Sequence, residues 1–436
     1  MADRSQPGSP DDDPDHGDYA PAPDWIPGLP LGPGGFDFSR VDLAQVMRML
    51  QSTGPVNWEI ARQMAEWVAL EGTAEPIVER DAYERFDELS RAAQTLVVGE
   101  TGLASTFATP LQTVGPKGWI ELHLVALRPV LEALAATLGE AMRAAGGAVT
   151  DHPSFGQSFG GLGEPSGVPL GGMVGALAPV LLGVQAGSMV GYLAQHALGR
   201  YDLPLPTGPK PTPTAPGGDE PSLCFVVPNI DTVESEWSLP RDDLRFYLAL
   251  HEVVRAAERS VPWVRSKLVA ASIDYVSSYR LDPAKLEEEF GRLDPSDPAS
   301  LEAITGDPER VLGAMQTAEQ ARPSEELQRL TAVMEGYADH VMERIGRRLI
   351  PTFDQIHEAA QRHRLERGEA GRFIESLLGL KLEREHYDQG AAFCRGVFER
   401  ADTEGLNRLW DREAMLPTRS ELEAPGLWLA RIELPD

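Results

Sequence analysis

From Phe36 onward apolar residues recur at three-to-four spacing, in the order Phe38, Val41, Leu43, Val46, Met47 and Leu50, which is one face of a helix. The Gly54-Pro55 step interrupts the pattern, and Trp58, Ile60, Met64, Trp67 and Val68 start a second helix. Two more amphipathic helices are expected near 79–98 and 117–145. The front of the chain, 36–202, therefore reads as a helical bundle with its tryptophans as core anchors.

Residues 165–199 form a charge-free run, PSGVPLGGMVGALAPVLLGVQAGSMVGYLAQHALG, long enough on length alone to span a membrane. Its many glycines and three prolines lower its apolarity, and neither an aromatic belt nor a basic flank accompanies it. Gly183, Gly187 and Gly191 repeat every four residues and line one helix face, where another backbone can approach closely. A buried helix over 172–198 is expected, with a membrane-associated hairpin as the alternative.

A Pro-rich loop, 203–221, precedes the one clear strand candidate, SLCFVVPNI at 222–230. A helix then starts at Pro240-Arg241-Asp242-Asp243, whose first turn is acidic, and continues to the Pro262-Trp263 break. The acidic segment 282–323 reads as loops and short helices, 324–412 as helical, and the remainder as a Pro-punctuated tail. No internal repeat is visible. These elements imply a mainly helical α+β protein, divided into 36–202, a core at 222–350 and a C-terminal helical cap at 351–436.

Charge narrows the function. The 436 residues carry 39 Lys and Arg against 67 Asp and Glu, a formal net charge of −28. A phosphate backbone is engaged through clustered cations, so nucleic acid and anionic membrane surfaces are poor partners. The first 35 to 40 residues are rich in Asp, Pro and Gly, cannot bury enough apolar surface to offset ordering entropy, and are expected to be a disordered acidic tail. No secretory signal is apparent, so a cytoplasmic location is expected. Cys224 and Cys394 lie far apart without a C-x-x-C step and read as buried thiols in a reducing compartment.

The segment LALHEVVRAAE places His251 and Glu252 on a helix just after a strand, the setting in which H-E-x-x-H binds zinc. In that motif two histidines four apart reach the metal from one helical face, and the glutamate polarises bound water as general base. Here the fourth position is Arg255. A guanidinium offers five donors and no lone pair, so it cannot ligate a metal. Neither a phosphate-binding G-x-x-x-x-G-K-[ST] loop nor a G-x-S-x-G nucleophile elbow is present.

Several ordered stretches resemble a largely actinobacterial family of zincin-like proteins, whose members are designated zinc-dependent metalloproteases or are associated with deazaflavin-coenzyme biosynthesis. They are VNWEIARQMAEW at 56–67, GVQAGSMVGYLAQHALGRYDLPLP at 183–206, FVVPNI at 225–230, LALHEVVRAAERSVPWVR at 248–265, MEGYADHVMERIGRRLIP at 334–351, GAAFCRGVFER at 390–400 and LWDREAMLPTRSEL at 409–422. The resemblance implies that 222–350 is a zincin-like metallopeptidase core, with His251 a zinc ligand, Glu252 the general base and Glu335 a further ligand. It also implies that Asp339, one turn after Glu335, orients His251.

The departure at Arg255 points to a guanidinium paired with Glu335, with Glu252 nearby, in place of a metal. Rescue by His16, His123, His152, His196, His340, His357, His363 or His386 is the alternative; His340, five residues after Glu335, lies about 140° from it around the helix. Two functions follow. One is a non-catalytic pseudoenzyme that binds an extended peptide or protein segment, through the edge of the strand at 222–230, and needs no cofactor. The other is an active metallohydrolase with an atypical zinc site.

Overall fold

The computed structural model describes residues 54–103, 110–150, 170–207, 222–280, 308–365 and 368–433, together with Leu31–Gly32, Gly35–Phe36 and Lys285. Residues 1–51 and 52–436 form two compact units. In the first, β1 (Leu31–Gly32) pairs antiparallel with β2 (Gly35–Phe36), a local pairing inside the stretch read as disordered. The helix expected from Phe38 to Leu50 lies outside the described residues.

The second unit is mainly helical. It begins with α1 (Trp58–Leu70), α2 (Arg80–Thr101), the strand β3 (Leu111–Val114), α3 (Pro116–Thr150) and α4 (Leu170–His196). The Asn57 side chain caps α1 by accepting a hydrogen bond from the Ile60 amide, which satisfies one of the free donors at a helix start. Trp119 is fully buried, whereas Trp58 and Trp67 are only half-buried. Trp58 instead lies under the Arg128 guanidinium, 4.7 Å from its ring centre, and donates to Glu132 at 3.1 Å, so its polar edge keeps it near the surface.

The small-residue face of α4 meets the backbone of α1. A Cβ on Gly183, Gly187 or Gly191 would come within 2.3–2.6 Å of the carbonyl oxygens of Asn57, Ala61 and Ala65 in turn. Three glycines one turn apart therefore set the distance between two helices, and the Asn57 amide donates to Pro179 O at 2.8 Å across the same seam. By length and composition, Pro116–Glu140 within α3 could cross a membrane, and 44% of its most apolar stretch is buried in the fold.

The strand β4 (Leu223–Val226) is shorter than the 222–230 expected, because Val227 and Pro228 open helix α5 (Val227–Glu236), with proline in the first turn where its missing N–H costs nothing. β4 pairs in parallel with β3, Leu111 opposite Leu223 and Val114 opposite Val226. Its other edge is also occupied. Gly199 bridges to Phe225, and the Val226 amide donates to Leu198 O at 2.9 Å. A peptide cannot add to this strand as an extra edge.

Both faces of β4 are buried, which is why its sequence is an unbroken apolar run. Leu223 and Phe225 point into one hydrophobic core, with α2, α6 (Arg241–Ser260), α9 (Ala321–Leu349) and α12 (Arg384–Asn407). Cys224 and Val226 point into the other, with α1, α3, α4, α7 (Pro262–Ser277), α8 (Pro308–Met315) and α11 (Gly368–Leu377). Between α9 and α11, α10 (Phe353–Leu365) is tied to the start of α6: Asp243 accepts from the Thr352 amide at 3.2 Å and its hydroxyl at 2.6 Å. The tail carries two further helices, α13 (Arg419–Glu423) and α14 (Pro425–Glu433), with Trp410 and Trp428 buried.

Gly187→Val should force α1 and α4 apart and lower stability by about 1–3 kcal/mol, the usual range for overpacking. Gly99→Ala, in α2 where a Cβ meets nothing within 4 Å, should instead stabilise by about 0.5–1 kcal/mol. Denaturant melts of both variants check the pair; equal effects would show that the α1–α4 spacing is not set by these glycines.

Candidate functional site

Helix α6 is nearly all buried, and its inward face carries charge. Asp242 and Asp243 favour its N-terminus, and Pro262 at the start of α7 ends it after Ser260. Along it His251, Glu252, Arg255, Glu258 and Arg259 are each less than a tenth exposed. Their three-to-four spacing stacks His251, Arg255 and the Glu258-Arg259 pair on neighbouring turns.

Glu252 reaches the corner at Leu198–Asp202. One carboxylate oxygen accepts from the Tyr201 amide at 2.9 Å and the other from the Arg200 amide at 3.2 Å. Gly199 makes this close approach feasible, since a Cβ there would lie 2.3 Å from Glu252 Oε1 and 3.1 Å from Cys224 O. The corner is also held from α3. Trp119 Nε1 donates to Gly199 O at 2.9 Å, and His123, stacked on the Trp119 ring, lies with Nε2 3.4 Å from Arg200 O. Burial holds His123 well below its ordinary value, to about 3, so it is neutral at pH 7. Burial also pushes Glu252 up to about 8, against the pull of the Tyr201 and Arg200 amides.

Arg255 is 2% exposed and is clasped by two carboxylates. Its Nη2 pairs with Glu335 of α9, and its Nη1 donates to Glu258 at 3.2 Å. Glu258, one turn along the same helix, thus joins the Arg255–Glu335 pair. Burial raises Glu258 to about 7, opposed by the charges of Arg255 and Arg259. Arg259, 3% exposed, sits 4.9 Å from the centre of the Tyr201 ring, and burial lowers its basicity.

Glu335 owes its position to a close helix crossing. A Cβ on Gly336 would lie 2.2 Å from the Gly390 carbonyl group, and one on Gly390 only 2.0 Å from Ala332 O, so α9 and α12 touch backbone to backbone beside it. One turn farther along α9, Asp339 lines a cleft of about 360 Å³ with Glu358, Arg362, Arg384, Tyr387 and Asp388.

The zincin-like metallopeptidase model matches residues 56–429, most of the chain. The chain belongs to this family. Among solved structures it is similar to a protein of Chloroflexus aurantiacus described provisionally as a hydrolase with a novel fold: 25% identity, TM-score 0.58, covering 87% of this chain and 100% of that one. No functionally curated protein shows significant similarity to the chain.

The zincin-like family implies zinc, and the residues here do not fit it. Glu335, expected as a ligand, is held by a guanidinium, and Glu252, expected as the base, is fixed by two backbone amides. Among the described residues no three His, Cys, Asp or Glu side chains converge in a way that could hold a metal ion. The rescue histidines have other surroundings. His340 packs at 4.6 Å on Phe398 and is held at about 4 by burial; His357 meets the Tyr247 hydroxyl at 2.9 Å; His386 accepts from the Glu383 amide at the start of α12; His363 approaches His196 O. His16 and His152 lie outside the described residues.

Sequence reasoning missed Glu258 and Arg259 in this zincin-like chain, although three- and four-residue spacing from Arg255 would have found both. It also missed the Arg200 and Tyr201 amides, for which a sequence carries no signal, since any residue but proline supplies an N–H.

Glu252 ionises near 4.5 when unfolded and near 8 when folded, so between these values the folded chain holds more protons and stability falls as pH rises. Glu252→Gln removes this titration. The stability of the variant relative to the parent should therefore improve steadily from about pH 5 to about pH 8, read from urea midpoints. Parallel curves would show that the carboxylate keeps its charge in the fold.

Proposed function

We propose that this zincin-like protein is a non-catalytic member of its family, which binds a peptide or protein segment and does not hydrolyse it. The observation that carries the reading is the buried ion pair of Arg255 with Glu335, a fixed cation where the family motif calls for a metal-binding histidine. A guanidinium has no lone pair, and its charge repels a divalent cation. Glu252, with both oxygens on backbone amides, is shaped to anchor the 198–202 corner and not to activate water.

For binding, the cleft beside Asp339 is the surface that supports the reading, because the edges of β4 are taken. Its three carboxylates, Asp339, Glu358 and Asp388, and two guanidiniums, Arg362 and Arg384, suit a segment carrying charges of both signs. The retained His251-Glu252 step and the provisional hydrolase description of the Chloroflexus protein favour a second reading, an active metallohydrolase with an atypical zinc site.

Removing one member of a buried ion pair strands the other in low dielectric, at a typical cost of about 3–5 kcal/mol. Arg255→Ala should therefore destabilise by that amount, and protein purified without added metal should contain zinc well below one equivalent and cleave no peptide. Stoichiometric zinc, together with peptidase activity abolished by a chelator, would reverse the assignment in favour of the hydrolase.

A further inference from the structure

A groove of about 720 Å³ opens between α1, α3, α4, α8 and α11, on the side of the second hydrophobic core, and α6 contributes nothing to its walls. That volume lies within the roughly 300–1,000 Å³ of ordinary small-molecule sites. Leu134 and Leu138 of α3, Met189 of α4, and Phe373 and Leu377 of α11 are among its apolar lining residues. Among the described residues, no Asp, Glu, Lys, Arg or His lines it, although the protein as a whole carries a net charge of −28. Soluble proteins rarely leave so much contiguous apolar surface open without a use for it.

Polar atoms enter the groove from one wall. Gln185, Ser188 and Tyr192, at three- and four-residue spacing on a single face of α4, are the polar residues among its described lining. Such groups satisfy an ester or alcohol and leave an ionised group uncompensated, since no cation among the described residues lines the site and burying an unpaired carboxylate is costly. We propose that the groove is a binding site for a neutral amphiphile with one long hydrocarbon chain, of the monoacylglycerol or long-chain alcohol class. The chain lies on the Leu, Met and Phe surface, and the uncharged head group bonds to the α4 wall.

The test is displacement of Nile red from the full-length protein by monoacylglycerols of about eight to about sixteen carbons, kept below their aggregation limits. Affinity should rise roughly fourfold per methylene, as expected for about 0.8 kcal/mol each, and then level off once the groove is full. The fatty acid of equal length, at a pH where it is ionised, should bind at least about tenfold more weakly. Ser188→Trp, which fills the groove from a partly exposed position, should abolish displacement while circular dichroism stays unchanged. Should that variant not fold, Leu138→Asp, also partly exposed, makes the same test by placing a charge against the chain.

Absence of displacement overturns the proposal, as does equal affinity for glyceride and fatty acid. Affinity that climbs with chain length without a plateau marks surface adsorption and also counts against it. Sedimentation with phosphatidylcholine vesicles without binding of monomeric glyceride overturns it in favour of a membrane-docking face.

Discussion

A guanidinium and a carboxylate that have both left water hold each other between α6 and α9, and much of the core is arranged around that fact. Neither Arg255 nor Glu335 is tolerable alone at this depth, because each has lost its hydration. The pair therefore fixes the register of two long helices. α12 secures the arrangement from behind, since its glycine crossing with α9 leaves Glu335 little room to withdraw. Glu258 and Arg259 extend the cluster along α6, and the Tyr201 ring gives the second guanidinium a polarisable face.

The same helix reaches the other core through Glu252. Its carboxyl group gathers two backbone amides of the 198–202 corner, and Trp119 and His123 of α3 meet the Gly199 and Arg200 carbonyls of that corner. β4 lies against it and sends alternate side chains into each core. This corner is one of several polar ties within the single compact unit 52–436, beside Asn229 on the Ala194 and Ala197 carbonyls and Arg344 on Glu100. Glu252 of the His251-Glu252 step ties α6 to the corner.

Family membership and chemistry separate at this point. The zincin-like assignment rests on agreement along most of the chain, which reflects the shared scaffold. Metal chemistry rests on a few atoms at one place, and a single change from an imidazole lone pair to a guanidinium donor alters what those atoms can do. At that place α6 and α9 face each other, linked by the Arg255–Glu335 pair.

The sequence by itself determined the helices, the apolar strand and the close packing of α4, because three-to-four periodicity, an unbroken β-branched run and a four-residue glycine repeat are local properties of the chain. It also determined that Arg255 stands where a ligand would, since spacing on a helix is fixed by its pitch. The partners of these residues were beyond it. That Glu258 joins the Arg255–Glu335 pair depends on which way each side chain leaves α6. That Glu252 binds backbone amides depends on a corner some fifty residues away in sequence. The strand ended early because Val227 and Pro228 could begin a helix, and its free edge vanished when Leu198 and Gly199 folded against it. Only the tertiary structure decided these points, because they depend on surfaces distant in sequence meeting where water is excluded and every buried polar group must find a partner.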